Sequence, residues 1–210
     1  MAITNYTNLK SSIADFLNRD DLTDVIPTFI ALAEADFNRN VRHYKMEARS
    51  NGQQDAGDQY MQIPSDWLET IRLHLTSNGT SALTLTSRAA MADIRAKNEN
   101  ISTKSPYLYT HADGQFELYP TPSEETDFEI LYYQKIPALN DSNTTNWLLT
   151  DAPDVYLYGA LKHSASYLQD DARLTVWQAQ YQEALLNLNA YADNARYSGS
   201  GMTLKIRGLG

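Results

Sequence analysis

The sequence predicts an α+β protein with a helical body, an inserted antiparallel β region and a C-terminal extended arm. Apolar residues recur every three or four positions near both ends of the chain, as in amphipathic helices. Between these ends the apolar pattern alternates, and turn-forming dipeptides are frequent. At 210 residues we expect one domain over residues 1–198. Its helical body comprises residues 1–42 and 147–198, its β-rich insertion residues 43–146, and a docking arm residues 199–210.

Two short helices that form an αα-hairpin are predicted at the start of the chain. Thr7 is the expected N-cap of the first helix, and Thr23 or Asp24 that of the second. Pro27 fits the first turn of the second helix, where its missing N–H costs little. The apolar stripes of the two helices are Tyr6, Leu9, Ile13, Phe16 and Leu17, and then Ile26, Phe29, Ile30, Ala33, Phe37 and Val41.

The middle of the chain has the pattern of an antiparallel β region. A hairpin is predicted from Thr70–Leu75 through a turn at Asn78-Gly79 to Ala82–Leu85. A short helix follows over Arg88–Lys97, with Ser87 as its cap. Three further strands are expected at Tyr107–Tyr109, Gln115–Tyr119 and Asp127–Tyr133, and Asn51-Gly52, Asp55–Gly57 and Asp113-Gly114 are predicted turns.

Helical periodicity returns after residue 146. One helix is introduced by Asp151 and Pro153, and Asp170-Asp171 caps a longer one. The longer helix keeps a strict alternation of three and four residues between its apolar positions, which is typical of close packing on a neighbouring helix. We expect this stripe to be buried within the subunit or against a neighbour. It consists of Leu174, Trp177, Tyr181, Ala184, Leu188, Tyr191 and Ala195.

Residues 199–210 at the end of the chain are predicted to form an extended arm. Ser198-Gly199-Ser200-Gly201 has the composition of a flexible linker, and residues 202–207 alternate apolar and polar like a single strand. Such a segment either frays or adds to the exposed sheet edge of another subunit or partner. The side chains predicted to dock on a neighbour or partner are Met202, Leu204, Ile206 and Arg207.

Composition narrows the classes of function. The chain has no cysteine, which excludes disulfides and thiolate chemistry. With 17 basic and 26 acidic residues the net charge is −9, which argues against a protein that grips nucleic acid. An acidic wall could still surround DNA and let it slide. The 14 tyrosines suit contacts between protein surfaces as well as a tyrosine-rich core.

We find no pattern that predicts an active site, a cofactor site or a metal site. The sequence has no nucleophile elbow, P-loop or dinucleotide fingerprint, and the four histidines (His43, His74, His111 and His163) have no metal-ligand spacing. Trp67 and Trp147 could stack on a sugar, but a core role is the more common one. No run of 18 apolar residues and no signal-peptide pattern occurs, so we expect no membrane segment.

Four stretches together resemble the adaptor, or head-completion, proteins of short-tailed and related tailed bacteriophages. Each stretch alone is weak evidence for the family, but the four occur in the order expected for it and span nearly the whole chain. They are Tyr6-Thr7-x-Leu9 onward to Leu32-Ala33-Glu34-Ala35, then Ile63-Pro64-x-Asp66-Trp67-Leu68-Glu69, then Tyr132-Tyr133-Gln134-Lys135-Ile136-Pro137-Ala138-Leu139, and finally Asn146-Trp147-Leu148-Leu149 with Pro153-Asp154-x-Tyr156-Leu157-Tyr158-Gly159-Ala160-Leu161 and Ser198-Gly199.

The resemblance implies a non-enzymatic structural protein of the virion, assembled in the host cytoplasm. In such proteins roughly twelve copies form a ring below the portal protein. The ring extends the channel through which genomic DNA passes without sequence-specific binding, and it supports the tail nozzle or other tail proteins. The helices form the ring body, the β region faces the tail or the outside, and the arm contacts the portal.

Two alternatives remain open at this point. A carbohydrate-binding or cell-wall-degrading protein of the virion would use Trp67 or Trp147 as platforms. A tail-tube or stopper subunit would be a different structural protein of the same particle.

Overall fold

The computed structural model describes residues 2–76, 81–97, 105–168 and 171–197. These residues form six α-helices and two four-stranded β-sheets, so the protein is α+β as the sequence predicts. The chain divides into two compact units, a helical unit of residues 1–45 and 136–210 and a β unit of residues 46–135. The sequence pattern places the corresponding boundaries after residues 42 and 146.

The helical unit contains five helices, of which α5 contacts all four others. The sequence of α5 explains this position, because its buried residues lie on several faces of the helix, as expected of a helix surrounded by others. The helices are α1 (Tyr6–Leu17), α2 (Ile26–Asn40), α4 (Trp147–Asp151), α5 (Pro153–Leu168) and α6 (Asp171–Tyr197).

The helix starts differ from those predicted. Asn5 caps α1, because its extended backbone lets its side-chain oxygen accept the N–H of Asn8 at 2.8 Å, whereas Thr7 lies inside the helix. α2 begins after Val25 without a side-chain cap. The prediction of Thr23 or Asp24 as its cap was therefore wrong. Instead, the carbonyl of Leu22 accepts the N–H groups of Val25 and Ile26.

The β unit contains two sheets, with strand orders β1-β8-β3-β4 and β2-β7-β6-β5. Buried side chains from both sheets, including Leu73, Phe116 and Ile130, form one hydrophobic cluster. The elements are β1 (Glu47–Gln54), β2 (Tyr60–Gln62), β3 (Trp67–Leu75), β4 (Ser81–Ala82), β5 (Thr84–Leu85), α3 (Arg88–Lys97), β6 (Leu108–Ala112), β7 (Gln115–Tyr119) and β8 (Thr126–Gln134).

The predicted hairpin forms only in part. β3 and β4 pair antiparallel, but β5 leaves for the other sheet and pairs parallel with β6. Buried Leu83 marks the change, since its N–H still bonds to Leu73 of the first sheet while the next residue bonds to Tyr107. Asn78-Gly79 lies outside the described residues. The helix α3 is confirmed, with the Oγ of Ser87 accepting the N–H of Ala90 at 3.2 Å.

Asn51-Gly52 is not the predicted turn but lies in the middle of strand β1. Gly52 pairs with Phe128 of β8, and a Cβ at Gly52 would overlap the end of the Phe128 ring. Glycine is required here because the aromatic ring lies across the backbone of the neighbouring strand. The pairing with β8 therefore overrides the turn preference of the dipeptide.

A buried carboxylate organises the helical unit. Glu34 of α2 is only 7% exposed, and its Oε1 accepts the backbone N–H of Leu139 at 2.7 Å and the hydroxyl of Tyr156 at 3.1 Å. Asn146 donates to the Tyr156 oxygen at 2.6 Å and caps α4 by accepting the N–H of Leu149. These bonds tie the segment that enters the unit at residue 136 to both α2 and α5.

Burial is the main influence on the ionisation of this network. It raises the pKa of Glu34 despite the hydrogen bonds from Leu139 and Tyr156, which favour the charged form. Burial and the Glu34 carboxylate together raise the pKa of Tyr156, whose hydroxyl therefore stays protonated.

We expect Gly52→Ala to lower the free energy of unfolding by about 1–3 kcal/mol, because the new methyl group displaces the Phe128 ring. Urea unfolding measures this change. Ser50→Ala, on the same face of β1, is the matched control and should stay within about 0.5 kcal/mol of the parent. Combining Gly52→Ala with Phe128→Leu should cost less than the two single changes added together. Strict additivity would contradict the proposed clash.

Glu34 should make stability depend on pH. The unfolded chain ionises Glu34 near the ordinary pKa of 4.5, below the raised pKa of the folded chain. The folded chain therefore binds more protons between these values, and the free energy of unfolding falls as pH rises through them. Comparing the parent with Glu34→Gln by urea unfolding from about pH 4 to about pH 8 should show the parent losing stability relative to the variant.

The control for this pH dependence is Glu183→Gln, which changes an exposed glutamate of α6. Because this side chain is exposed, the difference between the variant and the parent should vary less with pH than the difference for Glu34→Gln. A constant difference between Glu34→Gln and the parent would contradict the raised pKa.

Candidate assembly surfaces

The histidines serve packing and local hydrogen bonds. His43 is buried, stacks on Trp147 with ring centroids 4.8 Å apart, and accepts the N–H of Lys45 at 3.2 Å. His74 lies 3.4 Å from the Glu129 carboxylate. Among the described residues, no three His, Asp or Glu side chains lie together as a metal site requires.

The two candidate sugar platforms are both packed within their own units. The indole N–H of Trp67 donates to Thr70 at 3.0 Å, and its ring packs against His111 and Phe116. Burial in this cluster lowers the pKa of His111. Trp67 and Trp147 are each half-buried, and their contacts are those of side chains that close a core.

A second carboxylate anchors α6 to the rest of the helical unit. Asp36 of α2 accepts hydrogen bonds from Lys162 of α5 at 2.8 Å and from Tyr181 of α6 at 2.9 Å. Burial alone would raise the pKa of Asp36, but these two bonds outweigh it and hold the pKa below its ordinary value. Lys162 also lies 4.3 Å from the centre of the Tyr181 ring. One acidic side chain thus joins three helices.

The predicted stripe of α6 is buried over most of its length. Trp177, Tyr181 and Leu188 are each less than 8% exposed, and Leu174 is half-buried. Tyr191 departs from the intramolecular stripe, since it is 61% exposed and Ala192 is buried in its place. The reason is helical geometry: a straight α-helix has 3.6 residues per turn, so a strict repeat of seven drifts off the buried face.

The opposite face of α6 is exposed and carries little charge. Between residues 173 and 195 the charged side chains are Arg173, Glu183 and Asp193. Large apolar side chains are exposed on the same helix, with Leu186 at 70% and Val176 at 59%. The exposed polar residues are mostly amides: Gln178, Gln180, Gln182, Asn187, Asn189 and Asn194. A face exposed only to solvent usually carries more charge.

A cleft of about 300 Å³ lies between the start of α5 and the second half of α6. Tyr191, Asn187, Asp151 and Asp154 contribute to its lining, and Asp151 is paired with Lys45 at 2.5 Å. The exposed Tyr191 therefore faces a polar, partly acidic recess. This recess could accept a basic or hydrogen-bonding side chain of another protein.

The sheet edges of the β unit differ in length. Three of the four edge strands, β2, β4 and β5, have two or three residues, whereas β1 has eight. β1 pairs with β8 over all eight residues without a register shift. No strand of the described residues pairs with its other side. Short edges resist pairing with other chains, but a long regular edge is a template for it.

The predicted docking residues Met202, Leu204, Ile206 and Arg207, with the linker 198–201, lie outside the described residues. Asp170 of the predicted α6 cap lies outside them as well. In the described part of the chain, no helix is both long enough and apolar enough to span a bilayer.

Comparison with known proteins supports the resemblance seen in the sequence. A search of curated proteins found no significant match. A family model described as "SU10 adaptor protein" matches residues 4–204, which is nearly the whole chain. Proteins of this family are structural head-tail adaptors of bacteriophages. The chain therefore belongs to the SU10 adaptor protein family and is a structural component of a phage virion.

Proposed function

We propose that copies of this chain form a closed ring, of roughly twelve subunits, that joins the portal protein to the tail or tail nozzle. The ring extends the channel for genomic DNA, and the role is structural rather than enzymatic. Family membership supports the adaptor role. The exposed face of α6 is the observation in this chain that best supports assembly with copies of itself.

The composition of the α6 face matches that of protein interfaces. Interface centres are depleted in charged residues and enriched in aromatic and apolar ones; on the α6 face Leu186 and Val176 are exposed among amides, and Tyr191 is exposed on the flank beside the cleft. The hydrogen bond from Tyr181 to Asp36 holds the helix in place, so this face is preorganised and its docking requires little further ordering. We propose that a neighbouring subunit packs on this face and fills the Tyr191 cleft.

The charge of the protein suits a DNA channel that does not hold its contents. At a net charge of −9, a ring of many copies is strongly acidic. Such a wall repels phosphates, so that a duplex passes without the counterion release that drives nucleic-acid binding.

The arm is proposed to secure the ring to its surroundings. Residues 202–207 alternate apolar and polar side chains after a Ser-Gly linker, and such segments bind by adding to a sheet. Met202, Leu204, Ile206 and Arg207 are the proposed contacts to the portal or to a neighbouring copy. Many copies in one ring multiply contacts that are weak individually.

The α6 surface can be tested with Leu186→Lys, which places a charge in every proposed subunit contact. Native mass spectrometry of the protein mixed with portal protein should show assembly weakened by about tenfold or more, because burying a lysine ammonium in an apolar contact is costly even one turn from Glu183. Leu85→Lys is a matched control, since Leu85 is an exposed leucine of the β unit. Both variants should unfold at the parent temperature. Parental assembly of Leu186→Lys would exclude this face.

Deletion of residues 199–210 should leave a folded protein that binds portal protein poorly, because the arm provides contacts that each subunit of the ring repeats. A pull-down on immobilised portal protein measures the loss, and circular dichroism checks the fold. A chain with residues 202–207 in scrambled order separates the effect of sequence from that of length. Portal binding equal to that of the parent would remove the arm from the proposal.

A further inference from the structure

The outer edge of β1 has the properties of an acceptor for another strand. It is the long edge of its sheet, has a regular register with β8 and contains no proline. Natural proteins protect such edges with short strands, bulges or a covering segment. The edges formed by β2, β4 and β5 are protected by being short. β1 is neither short nor bulged, which makes it the edge of the β unit best suited to accept a strand.

Carboxylates lie beside the second half of β1, whereas the first half carries the exposed Arg49. The Gln53 amide donates to Glu125 at 3.0 Å and to Asp127 at 3.1 Å, which gathers carboxylates beside the end of the strand. An open groove of about 580 Å³ crosses this face of the sheet, with Asp127 and Glu129 of β8 and Thr76, just past β3, among its lining residues. A basic segment would therefore be favoured here over an acidic one.

The chain contains one segment whose sequence fits this edge. Residues 198–210 include Lys205 and Arg207 and no acidic residue. In an extended conformation, residues 202–207 place Met202, Leu204 and Ile206 on one face and the basic side chains on the other. These six residues are short enough to pair along their whole length with the eight-residue edge of β1.

The two faces of β1 also suit such a strand. Ala48, Ser50 and Gly52 point to the side of the half-buried Phe128, and they are small enough to leave room for apolar neighbours. Arg49, Asn51 and Gln53 are exposed on the opposite side. An added strand would therefore place its apolar residues next to the small ones and its basic residues on the face of Asn51 and Gln53, with the carboxylates beyond them and Arg49 nearer the start of the strand.

We propose that residues 202–207 of one copy pair, as an added β-strand, with the outer edge of β1 in a neighbouring copy. The inference rests on the proposed ring, because each subunit then donates an arm to one neighbour and accepts an arm from the other. Such a head-to-tail contact generates a closed ring when the rotation from one copy to the next closes. Pairing within one copy would cover the same edge but join no subunits.

Cysteine crosslinking tests the pairing, since the natural sequence has no cysteine. Full-length Asn51→Cys and full-length Thr203→Cys are mixed in equal amounts with portal protein and treated with a short bismaleimide. We expect about tenfold more crosslinked heterodimer than in a mixture of Gln62→Cys with Thr203→Cys, which places the cysteine on an exposed position of β2. Because each chain carries one cysteine, every crosslink joins two copies.

If the contact is a paired strand, arm variants that cannot make backbone hydrogen bonds should lose the crosslink. Lys205→Pro in the Thr203→Cys chain removes a backbone donor and should reduce the crosslink about tenfold, whereas Lys205→Ala should retain most of it. Equal crosslinking of the two variants would exclude strand pairing.

The outcomes separate this inference from the ring proposal. Native mass spectrometry of the same mixtures without crosslinker reports ring formation. Rings without an Asn51–Thr203 crosslink would overturn the β1 acceptor alone. A double variant, Asn51→Cys with Thr203→Cys in one chain, tests pairing within a copy. If only this variant forms the crosslink, and within a single chain, the neighbouring copy is not the acceptor. Absence of both rings and crosslinks would overturn the inference together with the ring.

Discussion

The hydrogen bonds to the buried Glu34 carboxylate hold the helical unit together. A buried charge must be fully partnered to be tolerated, and the partners of Glu34 come from Leu139 and Tyr156, more than 100 residues along the chain. This requirement fixes where the chain re-enters the helical unit after the β unit. Asn146 then places the start of α4, and with it the helix α5 that contacts all the others.

The hydrogen bonds that Asp36 accepts have a different consequence, because they hold α6 in place. By bonding Lys162 and Tyr181 together, Asp36 fixes which side of α6 faces inward. The side that remains exposed is fixed by the same bonds. A helix whose outer face carries so little charge thus has one side committed to its own fold and another available to a second protein. In a structural adaptor, a surface that is held rigidly needs little further ordering when it docks.

Local patterns predicted the helices well, because their apolar spacing depends on neighbouring residues, although the caps of α1 and α2 were predicted wrongly. Other misses involve partners distant in sequence. β1 contains turn-forming Asn51 and Gly52, and it is a strand only because β8 pairs with it. Glu34 cannot be distinguished by sequence from the other acidic residues, since its burial depends on Leu139 and Tyr156. For Tyr191, the strict heptad pattern overlooked the slow drift of a straight helix, although the 3.6-residue period itself could have indicated it.

The amide-rich character of the α6 face bears on the conditions that a virus particle meets. Attraction between surface ions weakens as dissolved salt screens it, over distances of about 8 Å at physiological ionic strength. Contacts made by glutamine, asparagine and apolar side chains are hardly screened at all. A joint built on them would therefore keep nearly the same strength at low and at high salt.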